Sequence, residues 1–181
     1  MVELHVFEQS HMTIEGGSAM DELILVRKIE KFLICEVGLL DDRQFDDWIN
    51  LFTEDGYYWA PASIGQRTPD AEVSLFFDDV PMMRTRFARL RHPRVHSQIP
   101  PSRTSHMLSN VCVSKKHGSE LYSAEARFQM LEFRLGYDQR TFGGKYEYDL
   151  VLGRDDGIRI AVKKATILNC DDIHLPIAVP F

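Results

Sequence analysis

The fold is decided by residues 122–163, which read YSAEARFQMLEFRLGYDQRTFGGKYEYDLVLGRDDGIRIAVK. Apolar and polar residues alternate along three parts of this stretch, and a period of two is typical of strands that bury one face. Asp155-Asp156-Gly157, between the last two parts, is typical of a hairpin turn. The stretch therefore predicts a meander of three long antiparallel strands.

The alternation also assigns the side chains of these strands to two faces. The set predicted to point inward consists of Tyr122, Ala124, Ala126, Phe128, Met130, Phe142, Tyr146, Tyr148, Leu150, Ile158, Ile160 and Val162. The set predicted to point outward consists of Glu125, Arg127, Gln129, Lys145, Glu147, Asp149, Arg159 and Lys163. This second set carries both signs of charge. It is compatible with a solvent-exposed face that has cross-strand ion pairs, and equally with a face that docks a subunit of complementary charge. Leu131 and Phe133 stand in the opposite phase to Met130, which predicts a bulge or a strong bend near Met130.

Two helices are predicted before the first strand. From Asp21 onward, apolar residues recur at steps of three and four, as on the buried face of an amphipathic helix. These residues are Val26, Ile29, Leu33, Val37 and Leu40. Asp41-Asp42 offers capping oxygens to a second helix, which is expected to end at Asp55-Gly56. Its buried side is expected to contain Phe45, Trp48, Leu51 and Phe52.

The following segments predict two short strands and a third helix. The strands are 57–60, which Pro61 stops, and 73–77. Pro81 suits the first turn of the helix, and His92-Pro93 ends it because the residue before proline disfavours helical angles. The apolar face of this helix consists of Met83, Phe87 and Leu90.

Helices that precede a run of long strands are typical of an α+β fold. In such a fold, helices cover one face of a curved antiparallel sheet, here the N-terminal helices and the predicted meander. We expect residues 1–19 to form a flexible arm and residues 20–181 to form a single domain. A length of 181 residues suits one domain with a sizeable core.

The composition excludes several classes of protein. Hydrophobic residues make up 44% and charged residues 27%, which are ordinary values for a soluble globular domain. The formal net charge of -6 gives no general attraction for the phosphates of nucleic acid. No apolar stretch approaches the ~20 residues that a membrane helix needs, and no secretory signal is apparent. We therefore expect a cytoplasmic protein that binds neither nucleic acid nor membrane.

Cysteine and histidine spacing argues against a redox centre. Cys35, Cys112 and Cys170 are far apart, and none forms a Cys-x-His or Cys-x-x-His pair, so spacing excludes a Rieske cluster. An odd number of cysteines set in apolar stretches suits buried reduced thiols. His92 and His96 are four residues apart, but Pro93 breaks the helix that would align them. We expect surface or interface histidines here, with a metal site as the less favoured alternative.

Arginines form the densest charge run of the chain. They are Arg84, Arg86, Arg89, Arg91 and Arg94. Such a run suits a solvated helix face, or bidentate pairs with carboxylates across a subunit boundary. Arg103 lies in the stiff segment 100–104 and is the strongest single candidate for an interface.

An apolar tail is the second candidate for an interface. It contains Leu175, Ile177, Val179 and Phe181. Because terminal segments of monomers are usually polar and frayed, this pattern predicts burial against another subunit.

Several of these segments together resemble one known family, the beta, or small, subunits of aromatic-ring-hydroxylating dioxygenases. The resemblance spans about residues 19–181. Its most specific parts are Leu39-Leu40-Asp41-Asp42, Trp48, Leu51-Phe52, Asp55-Gly56, Tyr58-Trp59, the helix 84–91, Pro100-Pro101-Ser102-Arg103-Thr104 and Ser109-Asn110-Val111. These subunits belong to the nuclear transport factor 2-like (cystatin-like) superfamily, whose curved sheet forms a cone.

The resemblance implies a non-catalytic beta subunit in a hexamer of three alpha and three beta chains, with the beta chains as a trimer. The alpha subunit would hold a Rieske [2Fe-2S] cluster and a mononuclear Fe(II). It would cis-dihydroxylate an aromatic compound with O2 and electrons derived from NADH. The beta chain would hold no cofactor and no metal, and it would stabilise the alpha subunits.

Other functions of the same fold stay open from sequence alone. A stand-alone isomerase or dehydratase would need an acid and a base inside the cone, and the inward set contains neither a carboxylate nor a histidine. Asp55, His106 and Asp149 become candidates if the strand phase slips by one residue. A ligand-binding or dimerisation module is the third alternative.

Overall fold

The structure, a computed structural model, describes residues 18–92, 98–116, 118–153 and 157–181. Within these ranges the elements follow in the order α1 (Ala19–Asp41), α2 (Phe45–Ile49), β1 (Phe52–Pro61), β2 (Ser74–Asp79), α3 (Val80–Leu90), β3 (Arg103–Lys115), β4 (Leu121–Phe133), β5 (Arg140–Leu152) and β6 (Ile158–Ile167). The predicted α+β class is therefore confirmed. The predicted arm lies outside the described residues, except for Ser18 and Ala19, which belong to the start of α1.

The six described strands form one sheet in the order β2-β1-β6-β5-β4-β3. Neighbouring strands are antiparallel, except for β1 and β6, which pair in parallel. The predicted meander corresponds to β4, β5 and β6. Its turn residues Asp155 and Asp156 lie outside the described residues.

One strand, β3, was not predicted from the alternation. It forms the free edge of the sheet beside β4. Its register shifts between Ser109 and Cys112, where Asn110 has a φ of 53°. This bulge interrupts the period of two, and exposed serines such as Ser105 and Ser109 weaken the pattern further.

The bulge predicted near Met130 is wrong. Pairing between β4 and β5 runs without interruption from Leu121 to Glu132. Met130 and Glu132 therefore lie on the same face, and both are buried. Leu131 lies between them on the other face and is half-buried.

The phase instead changes in β6, where the buried positions switch from Ile158 and Ile160 to Lys163, Ala165 and Ile167. Asp149 pairs with Val162 and Leu150 pairs with Ile160, so Ala161 is an extra residue in β6. After this bulge Val162 leaves the inner face and Lys163 enters it. The predicted directions of Val162 and Lys163 are therefore both wrong.

The first helix matches its prediction. Ser18 caps α1 and forms a reciprocal capping box with Asp21. The predicted stripe is buried at Ile29, Leu33, Val37 and Leu40. Val26 is only half-buried.

The second helix is shorter than predicted. Asp41 ends α1 rather than capping α2, which begins after Gln44 without a side-chain cap. Phe52 already belongs to β1, and Asp55-Gly56 lies inside that strand. A Cβ on Gly56 would lie 2.8 Å from the carbonyl oxygen of Ile160. Gly56 thus permits close approach of two strands and does not end a helix.

The second strand and the third helix match their predictions within two residues, whereas β1 begins five residues before the predicted strand 57–60 and includes Pro61. Pro81 lies in the first turn of α3, and Asp79 caps this helix with a hydrogen bond of 2.8 Å from the amide of Met82. Met83 and Phe87 are buried.

The hydrophobic core lies between the helices and the inner face of the sheet. Trp48 is at its centre, with no exposed surface. Its ring meets Phe52, Tyr58 and Phe87 edge-on at centroid distances of 4.9, 5.7 and 5.7 Å. The inner face of the cone is therefore filled by aromatic side chains, and any polar group there is enclosed by them.

Candidate functional sites inside and outside the cone

Lys163 and Glu36 form an ion pair in the middle of the core. Nζ of Lys163 lies 2.8 Å from Oε1 of Glu36, and neither side chain has any exposed surface. Glu36 also accepts hydrogen bonds from the indole N–H of Trp48 and, at 3.0 Å, from the hydroxyl of Tyr148. The carboxylate thus has three donors, which offset its loss of hydration.

Aromatic rings surround the ammonium group of Lys163. Nζ lies 4.4 Å from the ring centroid of Tyr146, and 5.7, 5.9 and 5.8 Å from those of Trp48, Tyr58 and Tyr148. Ring faces attract a cation at such distances. Burial nevertheless lowers the pKa of Lys163, while the Glu36 carboxylate opposes this shift. Burial, with the Glu36 charge, raises the pKa of Tyr146 and Tyr148.

Sequence reasoning missed this pair, although one signal for it was present. Glu36 lies in the apolar stripe of α1, one turn after Leu33 and one before Leu40, so spacing alone could have placed it in the core. Lys163 carried no such signal, because its direction depends on the bulge at Ala161. The interior therefore contains a carboxylate and an ammonium group, whereas the inward set predicted from the alternation consists of apolar side chains and tyrosines.

A second polar pair joins the end of α1 to β3. Nδ1 of His106 lies 2.6 Å from Oδ1 of Asp41, and the backbone amide of His106 donates to Oδ2 at 2.8 Å. The hydroxyl of Thr104 donates to Oδ1 at 2.8 Å. Burial alone would raise the pKa of Asp41, but the hydrogen bonds from His106 and Thr104 outweigh it and lower that pKa.

The Asp41–His106 pair has the residue types of an acid-base centre. A carboxylate holds one imidazole nitrogen, while Nε2 of His106 is buried and has no hydrogen-bond partner among the described residues. The imidazole has no exposed surface, so a substrate cannot reach Nε2 in this conformation. What the pair does in the structure is fix the first residues of β3 to α1. Asp55 is exposed and Asp149 pairs with Lys116, so neither of these other candidates faces the interior.

Two of the predicted arginines are engaged within the chain. Arg86 binds Asp78 through two hydrogen bonds, one of 2.8 Å, and the Asp78 side chain is only 3% exposed. Arg91 binds Asp46 through two hydrogen bonds of 2.7 Å, and both side chains are largely exposed. These pairs explain Arg86 and Arg91 without a partner subunit.

The other arginines of the run are Arg84, Arg89 and Arg94. Arg84 donates to the side-chain oxygen of Asn50 at 3.0 Å. Arg89 is exposed on α3 and forms no ion pair with a described residue. Arg94 and His96 lie outside the described residues. The four described arginines of the run therefore have different contacts: Arg84 binds Asn50, Arg86 binds Asp78, Arg91 binds Asp46, and Arg89 is exposed.

Arg103 begins the edge strand β3 and is exposed. Its guanidinium group lies 5.0 Å from the ring centroid of Phe133 on β4. The neighbouring backbone is held in place, since Arg43 donates to the carbonyl oxygen of Ser102 at 3.1 Å and Thr104 is bound to Asp41. Arg103 is thus an exposed cation on a well-positioned backbone.

The apolar tail folds back onto the same chain. Val179 is 3% exposed and Phe181 has no exposed surface. The amide of Phe181 donates to the hydroxyl of Tyr58 at 3.1 Å, and its ring lies 5.1 Å from that of Phe142. Val179 and Phe181 are therefore core residues, which corrects their prediction as interface residues.

Only part of the tail stays on the surface. Leu175 is 72% exposed, and Ile177 is half-buried against the core. Arg140 holds this segment through hydrogen bonds of 3.3 Å to the carbonyl oxygens of Leu175 and Pro176. Leu175 is thus the tail residue that is free to meet another chain.

The outer face of the sheet has the predicted cross-strand ion pairs. Lys145 lies 2.9 Å from Glu147 and 3.8 Å from Glu125, and Lys164 lies 3.4 Å from Glu147. Glu125 and Glu147 face each other directly across β4 and β5, and the lysines offset the repulsion between these two carboxylates.

The described residues contain no group of three His, Cys, Asp or Glu side chains that could hold a metal ion. All three cysteines are free, but Cys35 and Cys112 are exposed and only Cys170 is buried. The prediction of buried thiols is therefore right for Cys170 alone. None of the described helices is long and apolar enough to span a membrane.

The family model for the ring hydroxylating beta subunit matches residues 35–171. The small oxygenase component of the p-cumate 2,3-dioxygenase system of Pseudomonas putida is 31% identical over 169 residues, which cover 92% of each chain. The beta subunit of benzoate 1,2-dioxygenase from Acinetobacter baylyi is 30% identical over 133 residues, covering 71% of this chain and 78% of that one.

Solved structures agree with the sequence comparisons on the fold. The crystal structure of the beta subunit of benzoate 1,2-dioxygenase from Burkholderia mallei superposes with a TM-score of 0.65 and covers 81% of this chain and 93% of that one. The two chains are 24% identical, so this similarity supports the fold alone. Since the family model covers most of the chain and one relative matches along 92% of it, the chain belongs to the family of ring-hydroxylating dioxygenase beta subunits.

Proposed function

We propose that this chain is the structural beta subunit of an aromatic-ring-hydroxylating dioxygenase and that it stabilises the alpha subunits which perform the reaction. The observation that carries the proposal is the match to a small oxygenase component over 92% of both chains. The interior of the cone supports a structural role, because Glu36, Lys163 and His106 are all used in packing and have no exposed side-chain surface.

The cofactors belong, in this proposal, to the partner alpha subunit. A Rieske [2Fe-2S] cluster and a mononuclear Fe(II) would lie there and would receive electrons that originate from NADH. The cysteines of this chain support that division, because a Rieske cluster takes two thiolates and two imidazoles. Here the three thiols lie apart, on α1, on β3 and after β6.

The assembly is proposed to contain three alpha and three beta chains, with the beta chains as a trimer, in the cytoplasm. Among the predicted interface residues, Arg103 and Leu175 are the ones best suited to contact a partner, because both are exposed on segments that other side chains hold in place. Arg89 is a further exposed cation without an ion pair to a described residue.

Native mass spectrometry of the purified chain, alone and co-expressed with the oxygenase large subunit of the same organism, tests this proposal. We expect a metal-free trimer alone and a hexamer with the large subunit. Ring hydroxylation should require the large subunit and a reductase. A monomer that retains a small molecule and does not bind the large subunit would instead indicate a stand-alone enzyme or a ligand-binding protein.

Arg103→Ala tests the interface assignment within that assembly. We expect at least about a tenfold loss of affinity between subunits, equivalent to about 1.4 kcal/mol, with an unchanged melting temperature. Arg91→Ala is the matched control, because Arg91 is also exposed but binds Asp46 of its own chain. Equal hexamer yield for both variants and the wild type would remove Arg103 from the interface.

A further inference from the structure

The two edges of the sheet differ in charge, and both expose apolar side chains. One edge is β3, where residues 103–116 contain the cations Arg103 and Lys115 and no carboxylate, while Lys116 at its end is paired with Asp149. The opposite edge is β2 with the loop before it, residues 62–79. We call these two surfaces the basic edge and the acidic edge.

The acidic edge exposes three carboxylates, those of Asp70, Glu72 and Asp79, against the single cation Arg67. Asp78 of the same segment does not add to this charge, since it is buried and paired with Arg86. The Gln66 side-chain amide donates to the carbonyl oxygens of Thr68 and Glu72, at 3.3 and 3.1 Å, and so holds the loop against β2.

Apolar side chains stand beside these charges on both edges. Val73 is 87% exposed and Phe77 is 45% exposed on the acidic edge, while Met107 is 50% exposed on the basic edge. Exposed apolar groups next to charges are the composition expected of a protein contact with an apolar centre and a polar rim.

We infer that the basic edge of one copy of this chain docks on the acidic edge of a second copy. Complementary charge favours this arrangement. A symmetric contact between two antiparallel basic edges would instead place Arg103 beside Lys115 of the other copy, and like charges opposite each other repel. A symmetric contact between two acidic edges would likewise bring Asp70 and Asp79 of the two copies together, and these carboxylates would repel.

A contact between two different surfaces repeats from copy to copy and closes into a ring when its rotation allows. Such a ring is the kind of symmetry that a beta trimer needs, so the inference rests on the proposed function and specifies how its copies meet. The bulge at Asn110 interrupts the free edge of β3, and bulges oppose addition of a further strand. The contact is therefore made by side chains and does not extend the sheet.

Two variants and their mixture test the inference by native mass spectrometry at micromolar concentration. Val73→Arg places a cation on the acidic edge, and Met107→Glu places a carboxylate on the basic edge. Each variant alone should lose the oligomeric mass, since every contact needs both edges. Mixed, the two variants should form a heterodimer through one contact, because Val73→Arg retains an intact basic edge and Met107→Glu retains an intact acidic edge.

Leu23→Glu is the matched control, because Leu23 is an apolar residue on α1 with 63% exposure and lies on neither edge. It should keep the wild-type mass. Melting temperatures and circular dichroism report whether each variant is folded. Val73→Ser and Met107→Ser provide a second pair, expected to weaken association, should either charged variant fail to fold.

Either charged variant keeping the wild-type mass, or a mixture that remains monomeric, would overturn the assignment of the edges. These results differ from a failure of the proposed function itself. A wild-type chain that is monomeric alone and does not bind the large subunit contradicts the proposed beta subunit. A wild-type trimer with unaffected variants contradicts only the edge contact.

Discussion

At the scale of single residues, Lys163 and Glu36 form an ion pair with no exposed side-chain surface. Removal of one partner from a buried pair leaves a charge without compensation and typically costs about 3–5 kcal/mol. We therefore expect Lys163→Met to lower the free energy of unfolding by about that amount. Denaturant titration followed by fluorescence measures it.

The double variant Glu36→Gln/Lys163→Met distinguishes the cost of an unpaired buried charge from the cost of changed packing. The oxygen of the new side-chain amide would still accept from Trp48, and its N–H would donate to the hydroxyl oxygen of Tyr148. No net charge would remain in the core, so most of the lost stability should return. A double variant as unstable as Lys163→Met alone would show that the cost comes from packing and not from an unpaired carboxylate.

Trp48 is the residue whose loss should damage the packing of the core most directly. Trp48→Ala removes a fully buried indole and a donor to Glu36, so we expect a loss of about 3–5 kcal/mol in unfolding free energy. Thermal melting detects it. Leu23→Ala on the exposed side of α1 is the control, and equal melting temperatures for the two variants would contradict the central position of Trp48.

At the scale of elements, two adjacent glycines of β5 have different roles. A Cβ on Gly144 would lie 2.0 Å from the carbonyl oxygen of Thr166 in β6, whereas a Cβ on Gly143 would lie 3.4 Å from the carbonyl oxygen of Phe128. Gly144→Ala must therefore push two paired strands apart. We expect it to cost about 3 kcal/mol or more, against less than about 1 kcal/mol for Gly143→Ala.

Chemical denaturation of the two alanine variants checks this difference. Because the substitutions are chemically identical and adjacent, propensity for strand structure cancels between them. Similar stabilities would show that β5 and β6 separate easily at this point.

Bulges are the element-scale features that sequence reasoning could not place. Side-chain alternation predicts the inner face of β4 and β5 from Ala124 to Leu150 correctly. A single extra residue, Ala161, then reverses the directions of Val162 and Lys163. The bulge is an outcome of pairing between strands, and the β6 sequence indicates a change of phase only through Ala165 and Ile167, without locating it at Ala161.

At the scale of the whole molecule, the buried tyrosines make stability depend on alkaline pH. Burial raises the pKa of Tyr58, Tyr146 and Tyr148 in the folded state. The folded chain therefore keeps protons that the unfolded chain loses above about pH 10. Stability from these groups is fully present below that pH and falls as pH rises beyond it.

The contribution of Lys163 to stability changes with pH in the opposite direction, over a limited pH range. Burial lowers its pKa, so the unfolded chain holds the extra proton, and stability rises with pH between the folded value and about 10.4. Above that pH the contribution of Lys163 no longer changes, while the three buried tyrosines continue to lower stability. Denaturant midpoints measured above about pH 10.4 should fall steadily, and a constant midpoint there would contradict the burial of the three hydroxyls.

Tyr146→Phe is the variant that isolates one of these groups. The hydroxyl of Tyr146 is buried without a hydrogen-bond partner among the described residues, so its removal should stabilise the chain at neutral pH by about 1 kcal/mol. The same change should reduce the alkaline loss of stability. Destabilisation at neutral pH would show that this hydroxyl has a partner in solution.

The sequence by itself determined the α+β class, the stripe of α1, the strands of the meander and the membership of the family, because all of these depend on local periodicity and short motifs. Only the tertiary structure decided that Lys163 meets Glu36, that Asp41 holds His106, and that Val179 and Phe181 are core residues. Each of these contacts joins residues far apart in the chain. Their geometry depends on strand register and bulges, and those are settled by pairing between elements and by the cost of leaving a buried charge or carbonyl unpaired.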